Sequence, residues 1–223
     1  VAELTTSTIA YHKMANVQIM NESRVNFDQC QIHSCEGIGL QVKGTSIANF
    51  SKTNISNHTL TQLFISDRSI VSMNETAISK GKQVGIIAEK LSNCTIVNSI
   101  IREHANSGMT ILDSDLTIFE SKMVQNGGNG ILTLSNGKLQ VEHCVFMDNE
   151  MPHIGGKNRA LIQIHNSQFS YGKSIYVTER CELQIENCQF SDSKGVQIEL
   201  DDMSKGTIST SKITNGTTNA IKI

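Results

Sequence analysis

The sequence predicts an all-β protein: a single-stranded right-handed parallel β-helix solenoid of about ten coils of 21–23 residues, with three parallel sheets. Three observations support this fold class. A repeat runs through the whole chain, each repeat holds two short alternating segments, and certain positions accept only small side chains. The repeat is plainest in KLQVEHCVFMDN (138–149), ALIQIHNSQFSY (160–171) and ELQIENCQFSDS (182–193).

A small residue marks each repeat. These residues are Ser7, Cys30, Thr53, Thr76, Ser99, Ser121, Cys144, Ser167, Cys188 and Ser211, at intervals of 21 to 23. A second small-residue column, seven positions earlier, contains Ser23, Ser46, Ser69, Ser92, Ser114, Gly137, Ala160, Cys181 and Ser204. Self-similarity at a fixed period is typical of a solenoid whose repeats stack on their neighbours. We therefore predict one domain over 1–223, without a linker, excised from a larger protein.

The two alternating segments of each repeat predict strands, because successive side chains of a strand point to opposite faces. In the first segment the inward pairs include Leu116 with Ile118, Leu139 with Val141, and Leu183 with Ile185. In the second segment we place Leu63 with Ile65, Leu132 with Leu134, and Val196 with Ile198 inward. Coils about 4.8 Å apart would build a rod roughly 45 Å long, and connections between parallel strands of one sheet are right-handed.

The outward positions form two columns. The first column runs Asn26, Asn49, Ser72, Thr95, Thr117, Gln140, Gln163, Gln184, Thr207. The second is predicted to run Gln18, Gln41, Phe64, Ile87, Thr110, Thr133, then Tyr176, Gln197, Lys222. Neither column holds paired carboxylates of the kind that glycoside hydrolysis requires. We interpret the neighbours Asp201 and Asp202 as a loop acid pair.

The repeat resembles the right-handed parallel β-helix repeats of the pectate-lyase-like superfold, which also occur in carbohydrate-binding and sugar-hydrolase modules. The resemblance covers essentially the whole chain and implies architecture. Members of the superfold include polysaccharide lyases, glycoside hydrolases, phage tailspikes and non-catalytic interaction modules, so the fold leaves the function open. The Asn-Thr-Asp, His-Gly and Arg-Ile-Lys elements of related hydrolases, and the arginine motifs of pectate lyases, are missing from this sequence.

Composition limits the classes of binding partner and bears on the cellular compartment. The net charge of -2 gives no reason to expect nucleic acid as a partner. The sequence contains no run of 18 apolar residues, so we expect no membrane insertion. Its first residues lack the pattern of a signal peptide. The six cysteines are spaced as core residues without a CxxC motif, so we expect no disulfides, metal or cofactor. Unpaired thiols favour a cytoplasmic location, although secretion stays open.

The segment NEMPHIGGKNRA (149–160) is the main candidate binding site. Counting from earlier repeats places Gly155 and Lys157 inward, and an interior does not accept an unpaired lysine. We therefore predict that the segment leaves the coil as a loop. The charged or polar candidates are Asp148, Glu150, His153, Lys157 and Arg159. We expect Lys157 and Arg159 to contact an acidic group and Asp148 or Glu150 to orient it, since loops on rigid scaffolds often carry binding groups. A tolerated irregularity without a ligand is the alternative.

A weaker candidate is the column Glu142, His165 and Glu186, which occupies one position in three successive coils beside His143, Asn166 and Asn187. A carboxylate, an imidazole and a second carboxylate could bind a cation or serve acid–base chemistry. The alternative is a solvated corner where opposite charges contribute roughly 0.2–1 kcal/mol.

Three functions are compatible with the sequence. The first is a non-catalytic interaction or scaffold module of a larger, bacterial and cytosolic protein, with a protein or a carbohydrate as ligand. The second is a polysaccharide lyase or glycoside hydrolase. The third is a phage tailspike or surface-adhesion rod.

Overall fold

The computed structural model describes residues 1–223 and confirms the predicted fold class. It contains thirty strands and no helix, and the strands form three parallel ten-stranded sheets. Each coil contributes its first strand to sheet 1, its second to sheet 2 and its third to sheet 3. Corner 1 joins sheet 1 to sheet 2, corner 2 joins sheet 2 to sheet 3, and corner 3 leads on to the next coil.

The strands follow the coils in order. Coils 1 to 5 contain β1 (Ala2–Thr5), β2 (Thr8–Ala10) and β3 (Ala15–Ile19); β4 (Arg24–Asp28), β5 (Gln31–His33) and β6 (Ile38–Val42); β7 (Ile47–Ser51), β8 (Asn54–Ser56) and β9 (Leu63–Ile65); β10 (Ile70–Asn74), β11 (Ala77–Ser79) and β12 (Ile86–Glu89); β13 (Asn93–Val97), β14 (Ile100–Arg102) and β15 (Met109–Leu112). Coils 6 to 10 contain β16 (Asp115–Phe119), β17 (Lys122–Val124) and β18 (Ile131–Leu134); β19 (Lys138–Glu142), β20 (Val145–Met147) and β21 (Ile154–Gly156); β22 (Leu161–His165), β23 (Gln168–Ser170) and β24 (Ile175–Val177); β25 (Glu182–Glu186), β26 (Gln189–Ser191) and β27 (Ile198–Leu200); β28 (Lys205–Ser209), β29 (Lys212–Ile213) and β30 (Ile221–Lys222).

The core is a single column of stacked apolar side chains. One cluster of 43 buried residues runs through the solenoid, because parallel pairing places equivalent residues of successive coils over one another. Phe146 stacks on Phe169 at 4.9 Å between ring centroids, and Phe169 stacks on Phe190 at 4.8 Å. The inward pairs predicted for sheet 1 are confirmed, as in Leu139 and Val141 of β19.

Corner 1 explains the first small-residue column. One residue with positive φ turns the chain here, as Asn166 (φ 51) and Asn187 (φ 52) do, and asparagine tolerates this conformation. The next residue points into the stack and bonds across coils. The Ser167 hydroxyl accepts from the Cys144 backbone N–H (3.0 Å) and donates to the His165 carbonyl (2.7 Å). A small side chain is needed because the hydroxyl must reach the backbone of its own coil and that of the preceding coil.

Corner 3 uses two successive residues with positive φ in most coils, such as Asn158 (φ 55) with Arg159 (φ 63) and Glu179 (φ 60) with Arg180 (φ 64). Between coils 5 and 6 Asp113 (φ 47) turns the chain alone. This coil is therefore one residue shorter.

The shorter corner overturns part of the predicted register in sheet 3. Met109 pairs with Ile131, so Ile131 and Thr133 point inward and are fully buried. The prediction that Leu132 and Leu134 point inward was wrong, and both lie half-buried on the outer face. A slip of one residue exchanges the two faces of a strand.

The same slip produced the predicted loop at 149–160, which is also wrong. The segment stays in the coil, and its strand β21 pairs with β18 on one side and β24 on the other. Ile154 and Gly156, not Gly155 and Lys157, point inward. A Cβ atom on Gly156 would lie 2.7 Å from Ile162 Cδ1 and 3.0 Å from Val177 Cγ1, so a larger residue here would have to displace these core side chains. Lys157 follows the strand and is exposed.

Coil 8 causes the second register error. Its connection from β23 to β24 has four residues, whereas the connection from β26 to β27 in coil 9 has six. Ile198 and Leu200 are therefore the inward pair of β27, rather than Val196 and Ile198. On the outer face Glu199, not Gln197, stands between Tyr176 and Lys222.

Corner 2 is filled by buried polar side chains, which we call the polar corner: His58, Gln62, His104, Asn126, Asn149 and His153. His58 Nδ1 donates to Gln62 Oε1 at 2.6 Å. Glycines of the adjacent coils make room for this pair, because a Cβ atom on Gly39 would lie 2.6 Å from the His58 ring and one on Gly81 would lie 2.5 Å from Gln62 Nε2. No helix in the structure has the length and apolar character needed to cross a bilayer.

Candidate functional site

The outer face of sheet 1 carries a ladder of neutral polar side chains along the solenoid axis. Strand pairing confirms the predicted column from Asn26 to Thr207. The side chains bond along the stack: Asn49 Nδ2 donates to Asn26 Oδ1 (2.9 Å), and Gln163 Nε2 donates to Gln184 Oε1 (3.3 Å). The ladder therefore presents amide and hydroxyl groups at the spacing of the coils, about 4.8 Å.

Two shallow hollows lie on this side of the protein. One, of about 580 Å³, is lined over coils 2 to 5 by residues that include Asn49, Ser72 and Thr95. The other, of about 410 Å³, extends from coil 7 towards corner 1 of coils 8 to 10. Its lining residues are Glu142, His165, Asn166, Glu186, Asn187 and Thr210. Both hollows follow the edge of sheet 1 that leads into corner 1.

The predicted stacking of Glu142, His165 and Glu186 is present. Parallel pairing sets His165 between the two carboxylates, in coils 7, 8 and 9. His165 Nδ1 lies 3.4 Å from Glu186 Oε2, and His143 Nδ1 lies 3.5 Å from Glu142 Oε1. About half of each glutamate side chain is exposed (50% and 53%), so the column faces solvent and is open to a ligand.

The residues predicted for the main site are divided between two corners. Asp148 and Glu150 lie at corner 2 and Lys157 and Arg159 at corner 3, with strand β21 between the two pairs. His153 is fully buried in the polar corner. Its Nε2 donates to the Ser170 carbonyl (3.0 Å) and its Nδ1 accepts from Asn149 Nδ2 (2.9 Å). Burial lowers the pKa of His153 to about 4. The imidazole thus holds the corner together and does not reach a surface ligand.

Corner 3 of coils 7 and 8 carries three cations, which we call the basic corner: Lys157, Arg159 and Arg180. All three are exposed. The two arginines border a groove of about 470 Å³ whose other lining residues include Asn136, Asn158 and Glu179. Sequence reasoning missed Arg180. Its signal was the position one repeat after Arg159, which becomes visible when the repeats are aligned on corner 3.

A second charged cluster lies on the outer face of sheet 3. Glu199 accepts from Lys173 Nζ at 2.7 Å and from Lys222 Nζ at 2.6 Å, and these hydrogen bonds hold its pKa below the usual range. Lys173 Nζ also lies 4.8 Å from the centre of the Tyr176 ring. This cluster was missed from the sequence because the predicted register of β27 placed Gln197 where Glu199 lies. The cluster is internally paired.

Metal-binding and thiol chemistry find little support in the geometry. No group of three or more His, Cys, Asp or Glu side chains is arranged to hold a metal ion. All six cysteines are buried. Burial raises the pKa of Cys94 to about 12 and that of Cys144 to about 11, so these thiols are poor nucleophiles near neutral pH.

Comparisons with known proteins agree with this architecture. The family model described as "Right handed beta helix region" matches residues 15–157 and 153–223. The A-module of mannuronan C-5 epimerase AlgE6 from Azotobacter vinelandii superposes with a TM-score of 0.54 at 10% identity, covering 88% of this chain and 64% of that one. The AlgE4 A-module from the same organism gives 0.51 at 11% identity, covering 98% and 79%.

These similarities define a fold. At identities of 10% and 11% they show a shared architecture, and the chain spans 64% of the length of the AlgE6 module. A comparison with curated proteins gives no significant match. Because the family model matches two overlapping stretches that together cover nearly the whole sequence, the chain belongs to the right-handed beta helix family.

Proposed function

We propose that this protein is a non-catalytic β-helix binding module whose ligand is a linear polysaccharide lying along the outer face of sheet 1. The observation that carries the proposal is the ladder of amide and hydroxyl side chains from Asn26 to Thr207. A rigid row of neutral donors and acceptors matches the hydroxyl groups of a sugar chain.

The geometry of the ladder favours a repeating ligand. Its groups recur about every 4.8 Å because each belongs to one coil, and a sugar chain also repeats after each ring or pair of rings. The backbone is fixed by pairing on both sides, so little conformational entropy is lost on binding. Two shallow hollows lie along the corner 1 edge of this face, one over coils 2 to 5 and one over coils 7 to 10.

The structural neighbours support a carbohydrate over a protein ligand. Both AlgE modules belong to epimerases of mannuronan, a polysaccharide.

A matched pair of variants tests the proposal. Gln163→Ala/Gln184→Ala removes two amides from the ladder, while Gln168→Ala/Gln189→Ala removes two exposed amides from sheet 2 in the same coils. A glycan array would first identify a bound polysaccharide, and affinity electrophoresis would then compare the proteins. Two lost hydrogen bonds of about 0.5–1.5 kcal/mol each should weaken binding roughly tenfold in the first variant. Equal affinity of the two variants, or no polysaccharide bound by the unchanged protein, would reject the proposal.

A polysaccharide-modifying enzyme is the second candidate, favoured by the column of Glu142, His165 and Glu186 in the hollow beside the ladder. An imidazole 3.4 Å from a carboxylate can exchange protons with a bound sugar. The test incubates the bound polysaccharide with the protein and measures reducing ends, ultraviolet absorbance of unsaturated ends, and epimer content by NMR. Turnover that His165→Asn abolishes would establish the enzyme, and no change in any readout would leave the binding module.

A further inference from the structure

We propose that Lys157, Arg159 and Arg180 form a subsite for an anionic group of the ligand, either a uronate carboxylate or a sulfate ester. This inference rests on the proposed function, because it assigns a substituent to the polysaccharide placed on sheet 1. It keeps the predicted role of Lys157 and Arg159, adds Arg180, and removes Asp148 and Glu150 from the site.

The backbone of corner 3 fixes the two arginines in register. Arg159 N–H donates to the Glu179 carbonyl and Arg180 N–H donates to the Asp202 carbonyl, both at 3.0 Å. The two Cα atoms therefore stand one coil apart, about 4.8 Å. Leu134 and Thr178 flank Lys157 in the coils on either side, since Thr133 pairs with Gly156 and Gly156 with Val177. Three cationic side chains thus start from a rigid corner.

These cations lack protein partners. None of the ion pairs in the structure includes Lys157, Arg159 or Arg180. Elsewhere a stacked lysine faces a carboxylate of a neighbouring coil, as Lys90 faces Asp67 (3.4 Å) and Lys138 faces Asp115 (4.0 Å). Like charges on adjacent strands repel one another. An anionic ligand would remove this repulsion.

The groove beside the arginines suits one planar or tetrahedral anion. Guanidinium groups bind carboxylate and sulfate oxygens through paired hydrogen bonds. Asn136 and Asn158 line the same groove and supply neutral amides. Two acidic residues, Glu179 and Asp202, also line the groove. The Asp202 carboxylate accepts from Thr178 Oγ1 (3.0 Å), and neither carboxylate forms an ion pair with the arginines.

The basic corner borders the face on which the polymer is placed. Arg159 precedes the first residue of β22 by two positions, and the ladder residue Gln163 follows four positions after Arg159. Arg180 and Gln184 have the same relation in β25. Four residues of extended chain span at most about 13 Å. Arginine side chains that extend from corner 3 towards the ladder shorten this gap, and we place the acidic substituent of a ring at coils 8 and 9 within their reach.

Affinity electrophoresis with polygalacturonate, its fully methyl-esterified form and dextran sulfate tests the subsite. The unchanged protein should bind at least one of the acidic polymers at least tenfold more tightly than the neutral polymer, and the two acidic polymers distinguish carboxylate from sulfate. Arg159→Gln/Arg180→Gln should remove this preference without changing the melting temperature. The control Arg68→Gln changes another positive-φ arginine of corner 3, at coil 3, and should bind as the unchanged protein does. An acidic preference that survives in the double variant would overturn the inference.

A second readout separates this inference from the proposed function. Titration with sodium galacturonate and with sodium sulfate is followed by the arginine Nε–Hε NMR signals, assigned from the variants. The signals of Arg159 and Arg180 should shift in a saturable way with one of the two anions, and that of Arg68 should not. This holds even when no polymer binds the ladder. Equal, unsaturable shifts of all three signals with both anions would show only a general ion atmosphere and would reject the subsite. Binding of neutral polymers without any acidic preference would reject the subsite and keep the ladder.

Discussion

Mild acid should unfold the solenoid through the histidines of the polar corner. His104 and His153 are 2% and 0% exposed. Burial lowers the pKa of each from 6.5 to about 4, so both are neutral in the folded protein down to that pH. The unfolded chain takes up protons on these groups below about pH 6.5, the ordinary value. The unfolded state therefore binds more protons between pH 6.5 and 4, and the free energy of unfolding falls as the pH falls through this window.

The structure sets the size of the effect. Lowering a pKa from 6.5 to about 4 corresponds to roughly 3 kcal/mol for each histidine, or on the order of 6 kcal/mol for the two. A protein of this kind has a total stability of about 5–15 kcal/mol, so the loss is a large part of it. The pKa of His58 is also lowered by burial and adds to the loss in the same direction. Protonation of His153 would also place an N–H against the Asn149 amide that now donates to Nδ1 (2.9 Å).

Urea unfolding followed by circular dichroism at pH 7, 6, 5 and 4.5 measures this dependence. The variant His104→Asn copies the asparagines that fill the same position in the next two coils, Asn126 and Asn149, and should reduce the slope by less than half, because His153 and His58 still contribute. Gln140→Ala, which removes an exposed outward amide and no titratable group, serves as the control and should leave the slope unchanged. A free energy of unfolding that stays within about 1 kcal/mol between pH 6.5 and 4.5 would refute the reasoning, because two buried neutral histidines predict several times that loss.

Three further predictions concern stability. Gly85→Ala should destabilise the protein by about 1–3 kcal/mol, because the new Cβ would lie 2.5 Å from the Gly108 carbonyl oxygen and 2.6 Å from His104 Nε2. The control in thermal unfolding is Gly195→Ala, whose new Cβ has no atom within 4 Å and should leave the stability unchanged. Phe146→Asp should cost several kcal/mol in urea unfolding, whereas Gln140→Ala on the outer face should cost less than about 0.5 kcal/mol, and equal costs would contradict the register. Glu199→Gln should lower the melting temperature at pH 7 and have little effect once the pH falls below the lowered pKa of the carboxyl; an undiminished difference in acid would show that the carboxylate charge is not the cause.

Sheet 1 and corner 1 were predictable because their pattern depends only on local residues. Five alternating positions, one residue tolerant of positive φ and one small residue are all read within a single stretch, as in Lys138 to Cys144. Sheet 3 was less predictable, because its register depends on how many residues the corners use. Asp113 turns alone where other coils use two residues, and the passage before Ile175 is two residues short. Counting by a mean period cannot locate such deletions.

The candidate sites were likewise predictable where they depend on local sequence and were missed where they depend on the corners. The column of Glu142, His165 and Glu186 lies at the end of sheet 1 strands and was found. The basic corner was found only in part, because Arg180 becomes a neighbour of Arg159 through corner 3. The polar corner was missed since buried His and Gln resemble surface residues in a sequence. Its only sign was a glycine at the equivalent place in the coils above and below, as at Gly39 and Gly81.

In the polar corner of coils 2 to 4, a coil with two large polar side chains lies between coils that have glycine at the facing positions. Neighbouring coils are therefore not interchangeable. His58 and Gln62 of coil 3 occupy space that Gly39 leaves in coil 2 and that Gly81 leaves in coil 4. Inserting one extra copy of coil 3 would set an imidazole over an imidazole, whereas inserting coils 3 and 4 together would restore the fit. In this part of the solenoid the unit that can be duplicated or deleted by recombination, or by a designer who lengthens the rod, is a pair of coils.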